Sequence, residues 1–325
     1  MMDRALAERL LDGDRRALAK AITLVESTRA DHGEQAAMLL EQIMPHTGNS
    51  IRLGVSGAPG VGKSTFIESL GNALTDWGHQ VAVLAVDPTS AVSGGSILGD
   101  KTRMETLSVN PKAFVRPSPA GRTLGGVTRR TRESLLLCEA AGYDVIIVET
   151  VGVGQSETAV SDMTDMFLLL LSPGGGDDLQ GIKRGIMELA DLVLVNKADG
   201  DQARLASQTV ADYRGALHFM QARTPSWTPQ VESCSALNNK GMDEVWTIVK
   251  AFRGALTESG ELAVLRAQQA RAWMWAETAE LLIVGLKNHS AVKSLVPTLE
   301  SAVLKGELPA TVAAQRLIEH YKGSE

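Results

Sequence analysis

A glycine-rich segment carrying one lysine and two hydroxyl residues is the part of this chain best suited to hold phosphate groups. It follows the apolar run IRLGVSG and reads GAPGVGKST, which fits the pattern GxxxxGK[ST] between a strand and a helix. Glycines permit the positive φ angles that point successive N–H groups inward, and a following helix adds partial positive charge. Lys63 is expected to reach the β- and γ-phosphates, and Ser64 to ligate Mg²⁺. The predicted triphosphate site comprises Gly57, Ala58, Pro59, Gly60, Val61, Gly62, Lys63, Ser64 and Thr65.

A second segment is suited to reading a purine base. The apolar run DLVLV ends in Asn196, Lys197, Ala198 and Asp199. A carboxylate at position 199 can accept hydrogen bonds from guanine N1–H and the exocyclic amino group. Adenine lacks this pair, and an unsatisfied polar group costs about 1–3 kcal/mol. We expect Lys197 to lie along the base and Asn196 to brace the loop. NKxD alone also fits an ordinary turn, so the prediction depends on the phosphate segment before it.

The segment PQVESCSAL supplies a further candidate for base recognition. Its residues Ser235, Ala236 and Leu237 are predicted to form a loop whose backbone N–H groups read guanine O6. This assignment is meaningful only in combination with the other two segments.

Acidic residues at the ends of apolar runs are candidates for the magnesium and water network. DVIIVET ends near Glu149, and Gly152 follows three residues later, where its N–H can contact the γ-phosphate and lose that contact on hydrolysis. Asp87 follows VAVLAV, and Asp100 lies in LGDKTRM. Either aspartate can instead cap a helix, and Glu149 can be an ordinary residue at a strand end.

A triple glycine after MFLLLLS predicts a loop able to change conformation. The sequence from position 174 reads GGGDDLQGIK, and its polar residues can reach toward a nucleotide. A solvated loop without such a role is the alternative. The candidates on this segment are Asp178, Gln180 and Lys183.

Composition excludes several classes of protein. The 325 residues carry a net charge of −6 and no basic run, which argues against a nucleic-acid partner. Cys138 and Cys234 are far apart and outside any CxxC spacing, so we expect two buried thiols in a reducing compartment. We predict no membrane span, no signal peptide and a cytoplasmic location.

The pattern of apolar residues predicts three regions. Residues 1–48 have helical periodicity, and residues 49–255 alternate short apolar runs with helical stretches, which indicates a mostly parallel sheet covered by helices. Residues 256–325 predict a long helix over 261–287 and two shorter ones over 291–304 and 309–321. Trp273, Trp275 and nearby leucines are too apolar for a solvated helix, so they pack either on the central domain or on a second copy.

Together the motifs resemble those of the MeaB/ArgK family of MMAA-type P-loop GTPases, and the resemblance covers nearly the whole chain. It rests on GAPGVGKST, VDPTS, GDKTRM, GRTLGGVTRRTRE, VETVGVGQSE, GGGDDLQGIKRGI, NKAD and SALNNKG. The resemblance implies an α/β fold of the SIMIBI type with an N-terminal helical extension and a C-terminal dimerisation arm. It also implies a homodimeric, GTP- and Mg²⁺-dependent chaperone of adenosylcobalamin-dependent methylmalonyl-CoA mutase. Such chaperones gate cofactor loading and protect the mutase from inactivation.

The same resemblance assigns roles to individual residues. It places Asp87, Asp100 and Glu149 around the metal and water, and Gln180 and Lys183 on a partner-responsive loop called switch III. No catalytic arginine is evident, although Arg122, Arg129 and Arg184 are candidates. Two other functions stay open: a kinase acting on an amino-acid transport protein, and a metal-delivery GTPase, which is disfavoured by the scattered histidines.

Overall fold

The computed structural model describes residues 2–27, 29–86, 104–117, 124–150, 156–174, 184–217 and 222–323. Within these ranges the chain forms two compact units, residues 1–266 and residues 267–325. The three-region division at positions 48 and 255 stays a prediction. No helix in the described ranges has the length and apolar character that crossing a bilayer requires.

Seven described strands form one sheet in which every neighbouring pair is parallel, as the apolar runs predict. The order across the sheet is β3-β2-β4-β1-β5-β6-β7. Every residue of β1, β4, β5 and β6 is buried, because helices cover both faces. The strands are β1 (Ile51–Gly57), β2 (Val81–Val86), β3 (Ala113–Arg116), β4 (Val145–Thr150), β5 (Met166–Leu171), β6 (Leu192–Val195) and β7 (Gln230–Ser233).

Helices of the first unit cover the two faces of this sheet. Apolar residues of α4 (Lys63–Asp76), α5 (Glu105–Val109) and α10 (Met242–Glu258) pack with one set of strand residues in a single core. The helices α6 (Leu124–Ala140), α7 (Ser156–Ser161) and α9 (Ala203–Leu217) contact the sheet as well, and a short helix α8 (Arg184–Met187) precedes β6. This arrangement confirms the predicted α/β class.

The N-terminal residues form helices, as predicted, and these pack on α6. They are α1 (Met2–Leu11), α2 (Arg15–Val25) and α3 (Ala30–Ile43), followed by a 3₁₀ turn, Met44–His46. Asp14 caps α2, because its side chain accepts hydrogen bonds from the N–H groups of Arg16 and Ala17. Leu18 and Ile22 of α2 are fully buried.

The C-terminal helices also lie where the sequence predicts them. They are α11 (Glu261–Asn288), α12 (Ser290–Leu304) and α13 (Ala310–Lys322). Pro309 is the N-cap of α13, so this helix begins one residue later than the predicted start at 309.

Buried ion pairs join the amino-terminal edge of the sheet to the segments around it. The Arg52 guanidinium donates two 2.9 Å hydrogen bonds to Glu139, which also accepts from Gly48 N and Ser50 Oγ. Burial raises the pKa of Glu139, but the Arg52 guanidinium and the other donors outweigh it and hold this pKa below its usual value. Arg266 donates to both oxygens of Asp165, at 2.8 and 2.7 Å.

Both cysteines are buried free thiols, as predicted. Burial raises the pKa of Cys138, and burial raises that of Cys234 to about 12, so neither is a thiolate at neutral pH.

Candidate nucleotide-binding site

The phosphate loop joins β1 to α4, and its shape depends on glycines with positive φ. Gly57, Gly60 and Gly62 have φ of 154°, 82° and 95°. A Cβ on Gly57 would lie 2.5 Å from Leu170 O of β5, so the loop leaves the sheet with no room for a side chain. Helix α4 begins at Lys63, directly after Gly62, so its first N–H groups lack intrahelical acceptors and face the loop.

The ammonium group of Lys63 lies across this loop. Its Nζ donates to Gly57 O at 2.8 Å and to Ala58 O at 3.3 Å, and the residue is buried. The positive charge is therefore held among the main-chain groups that the sequence assigns to the phosphates.

Two oxygen ligands suited to magnesium lie side by side next to the loop. Ser64 Oγ donates to Glu149 Oε1 at 3.2 Å, which brings the first turn of α4 to the carboxyl end of β4. Beside them, Thr150 Oγ1 donates to Ser56 Oγ at 2.9 Å and joins β4 to β1. Mg²⁺ prefers a hydroxyl or carboxylate combined with water and phosphate oxygens, and these donors fit that preference.

Asn196 is the residue that joins the three parts of the site. Its amide Nδ2 donates to Val61 O of the phosphate loop at 3.0 Å, and its Oδ1 accepts from Ala236 N at 3.0 Å. The Cys234 thiol approaches the same oxygen at 3.7 Å. One buried side chain thus fixes the distance between the phosphate loop, the end of β6 and the loop after β7.

Lys197 makes a second link between the base segment and the phosphate loop. It adopts φ of 60°, and its Nζ donates to Gly60 O at 2.8 Å. Left-handed backbone is uncommon for a residue other than glycine, and here it turns the side chain back over the loop.

A cavity of about 490 Å³ opens beside these residues, a volume suited to a small-molecule ligand. Asp199 lies in its wall, as the base-reading prediction requires of it. The wall consists of Gly62, Thr65, Asn196, Lys197, Asp199, Asp201, Gln202, Ala236 and Leu237.

Several residues near this cavity were not singled out from the sequence. Asp201 and Gln202 line it because a 3₁₀ turn, Gly200–Gln202, follows Asp199 directly. In the sequence, their position directly after NKAD is the feature that could have indicated a role for these two residues. Asn238 donates to Asp199 Oδ2 at 2.9 Å across 39 residues of chain, and no sequence pattern signals that contact.

The structure brings many of the predicted residues to the carboxyl ends of β1, β4 and β6, the edge where parallel α/β sheets bind ligands. Among the described residues, one group consists of the phosphate loop and Glu149, and a second group consists of the NKAD residues and the loop at 235–237.

Of the arginine candidates, Arg129 forms an ion pair with Glu133 at 3.2 Å on α6. The predictions that lie outside the described residues concern Asp87, Asp100, Gly152, Asp178, Gln180, Lys183 and Arg122.

A parallel sheet with a GxxxxGKST loop after its first strand and an NKAD segment after β6 defines the class of P-loop nucleotide-binding proteins. Residues 18–291 match the family model described as methylmalonyl Co-A mutase-associated GTPase MeaB. The chain belongs to this family and is a GTPase.

Relatives and a solved structure agree with this assignment. A Caulobacter vibrioides protein named as a GTPase is 57% identical, over 97% of this chain and 96% of its own. The mouse mitochondrial methylmalonic aciduria type A homolog is 48% identical, over 96% of this chain and 78% of its own. A crystal structure titled LAO/AO transport system kinase has a TM-score of 0.76 and 40% identity, covering 98% of this chain and 97% of its own.

Proposed function

We propose that this GTPase is a chaperone of adenosylcobalamin-dependent methylmalonyl-CoA mutase that gates cofactor loading and protects the mutase from inactivation. The observation that carries the proposal is the family match over residues 18–291, whose description names association with that mutase. The name of the mouse relative, which refers to methylmalonic aciduria, supports the same partner.

The base and phosphate sites have separate roles in this proposal. Asp199 selects guanine through both carboxylate oxygens, Lys197 lies along the base, and residues 235–237 donate to O6. The contacts of Asn196 with Val61 O and Ala236 N support a base site held at a fixed distance from the phosphate loop. Lys63 and the N–H groups of residues 57–65 hold the triphosphate.

Hydrolysis is proposed to proceed by in-line attack of water on the γ-phosphate. Bound Mg²⁺ supplies positive charge to the phosphate oxygens, and Ser64 with Glu149, Asp87 and Asp100 would hold it and its water. Lys63 stabilises the charge that develops on the γ-phosphate, while Gly152 senses its presence. With no arginine assigned in cis, an intrinsic rate of roughly 10⁻⁴–10⁻² s⁻¹ is expected.

Regulation and assembly complete the proposal. Asp178, Gln180 and Lys183 respond to the mutase, and this response accelerates hydrolysis. Residues 1–48 form a helical extension, 49–255 the GTPase domain and 256–325 the arm of a homodimer. A cytoplasmic location is part of the same proposal.

Capture experiments with purified methylmalonyl-CoA mutase test this function. The mutase is expected to bind the chain in a way that differs between GDP and a non-hydrolysable GTP analogue, and to increase the hydrolysis rate. Asp199→Asn is the matched control, because it retains the surface of the protein but should not load either guanine nucleotide. A mutase that neither binds in any nucleotide state nor changes the rate would contradict the chaperone role while leaving the GTPase intact.

A kinase acting on a transport protein is the second candidate, because the 40% identical structure carries that title. With γ-labelled GTP or ATP, a kinase transfers the label to a protein, whereas the proposed GTPase releases it as inorganic phosphate.

A further inference from the structure

Asn238 touches the carboxylate proposed to read guanine. Its side-chain Nδ2 donates to Asp199 Oδ2 at 2.9 Å. The two residues belong to different loops, after β7 and after β6, so the bond fixes one loop against the other.

The loop that carries Asn238 is held by bonds of its own. Ser235 and Lys240 exchange two 3.0 Å backbone hydrogen bonds, and Asn238 N donates to Ser235 Oγ at 3.3 Å. Asn239 adopts φ of 54°, and its Oδ1 accepts from Ser69 Oγ of α4 at 2.6 Å. The backbone that carries Asn238 is therefore held on both sides, so its side chain approaches Asp199 from a fixed position.

Asn238 approaches Asp199 without occupying the cavity. Asp199 is part of the cavity wall and Asn238 is not. An ionised carboxylate offers about four acceptor positions, so one bond to Asn238 leaves positions on both oxygens for a ligand. This geometry indicates that Asn238 supports the Asp199 carboxylate and does not occupy the place of the base.

We propose that Asn238 is a positioning residue for guanine specificity: it holds the plane of the Asp199 carboxylate so that both oxygens meet guanine together. The inference rests on the proposed role of Asp199 as the base reader. Guanine presents N1–H and an exocyclic amino group, whereas hypoxanthine presents N1–H alone. Losing the orientation of the carboxylate should therefore weaken guanine binding more than hypoxanthine binding.

Calorimetric titration of the nucleotide-free protein with GTP, ITP and ATP in magnesium buffer tests this role. In Asn238→Ala, the Kd for GTP is expected to rise about five- to tenfold, the size of one hydrogen bond, and that for ITP by less than about twofold. The isosteric Asn238→Asp variant replaces the donor with a like charge and should lose more GTP affinity.

Asn72→Ala is the matched control, because Asn72 also donates one exposed side-chain hydrogen bond, to Thr106 Oγ1 at 2.7 Å, away from the cavity. It should change none of the three affinities. A purely structural loosening of the loop would weaken GTP and ITP equally, since both bases carry O6, and equal loss overturns the inference. Unchanged or tighter GTP binding by Asn238→Ala overturns it as well. Wild-type protein without preference for GTP over ATP would overturn the proposed base site too, so the two failures are distinguishable.

Discussion

At the scale of single residues, Gly62 is a position where two separate constraints exclude a side chain. Its φ of 95° is in the left-handed region, and a Cβ there would lie 2.7 Å from Asn196 Nδ2. Asn196 cannot move away without losing its bonds to Val61 O and Ala236 N. Gly60 shares the first constraint, with φ of 82°, but a Cβ there meets nothing within 4 Å.

Comparison of Gly62→Ala with Gly60→Ala separates these constraints. Both should destabilise the fold by about 1–2 kcal/mol through the left-handed backbone, and Gly62→Ala by a further ~1–3 kcal/mol through the collision with Asn196. Urea unfolding of the nucleotide-free proteins measures the difference in unfolding free energy between the two variants. Because no nucleotide is present, phosphate binding does not contribute to it. Equal destabilisation of the two variants would mean that the Asn196 side chain moves away from the new Cβ with no loss of stability.

The sequence predicts this site unevenly at the residue scale. Gly62 and Asn196 stand in motifs whose spacing alone indicates their roles. The contact of Asn238 with Asp199 depends instead on how two loops from different strands meet. An exposed asparagine has no periodicity or composition that marks such a contact, so only the folded chain reveals it.

At the scale of elements, the residue before β6 carries an unusual buried charge. Asp191 is 1% exposed, and it accepts from Phe167 N of β5 at 2.8 Å and from Arg223 at 3.1 Å. Burial raises the pKa of Asp191 to about 6, although the Arg223 guanidinium and the Phe167 N–H lower it. Desolvation is the larger effect because the side chain is almost completely removed from water.

This shift predicts a pH dependence of folding stability. The folded pKa lies above the ordinary value of 3.8, so ionisation costs more in the folded chain, and stability falls as pH rises from about 4 to about 6. Asp191→Asn cannot ionise, so its unfolding free energy relative to wild type should increase over that range. The increase approaches about 3 kcal/mol, from ~1.4 kcal/mol per pKa unit. Urea unfolding of both proteins between pH 4 and pH 8 measures it.

Asp14→Asn provides a control of opposite sign. The hydrogen bond from Arg9, with those from the Ala17 and Arg16 N–H groups, lowers the pKa of Asp14, so its ionised form stabilises the fold. The unfolding free energy of Asp14→Asn relative to wild type should therefore decrease as pH rises toward the ordinary pKa of 3.8, and urea unfolding of this variant is extended below pH 4 to measure it. If the unfolding free energy of Asp191→Asn relative to wild type stays constant or decreases as pH rises from 4 to 6, the raised pKa of Asp191 is contradicted.

Helices and strands with a clear pattern of apolar residues were predictable from the sequence, and elements without such a pattern were not. Strands β1, β2, β4, β5 and β6 match strongly apolar runs of the sequence, whereas β7, with the sequence QVES, has a single apolar residue. The start of helix α3 at Ala30 has no sequence signal, because Ala30, Asp31 and His32 carry no apolar periodicity and Arg29 makes no side-chain cap. The five-residue helix α5 is too short for its periodicity to be recognised.

At the scale of the whole molecule, helix α11 exposes more apolar surface than a solvated helix normally does. Its described side chains include seven large apolar residues between 48% and 61% exposed. They are Val264, Met274, Trp275, Leu281, Leu282, Ile283 and Val284. Covering such a surface is favourable by about 25 cal/mol per Å², which supports the proposed second copy of the chain.

Sedimentation of a charged variant tests this homodimer. The double change Leu281→Glu and Leu282→Glu keeps helix propensity but places two like charges on the apolar surface, where a dimer would bury them unpaired. The variant is expected to sediment as the 34.6 kDa monomer, and wild type at twice that mass. Val109→Glu changes a 77% exposed apolar residue at the end of α5 and should remain dimeric. If the α11 variant sediments like wild type while circular dichroism shows full helix content, this surface is not the interface.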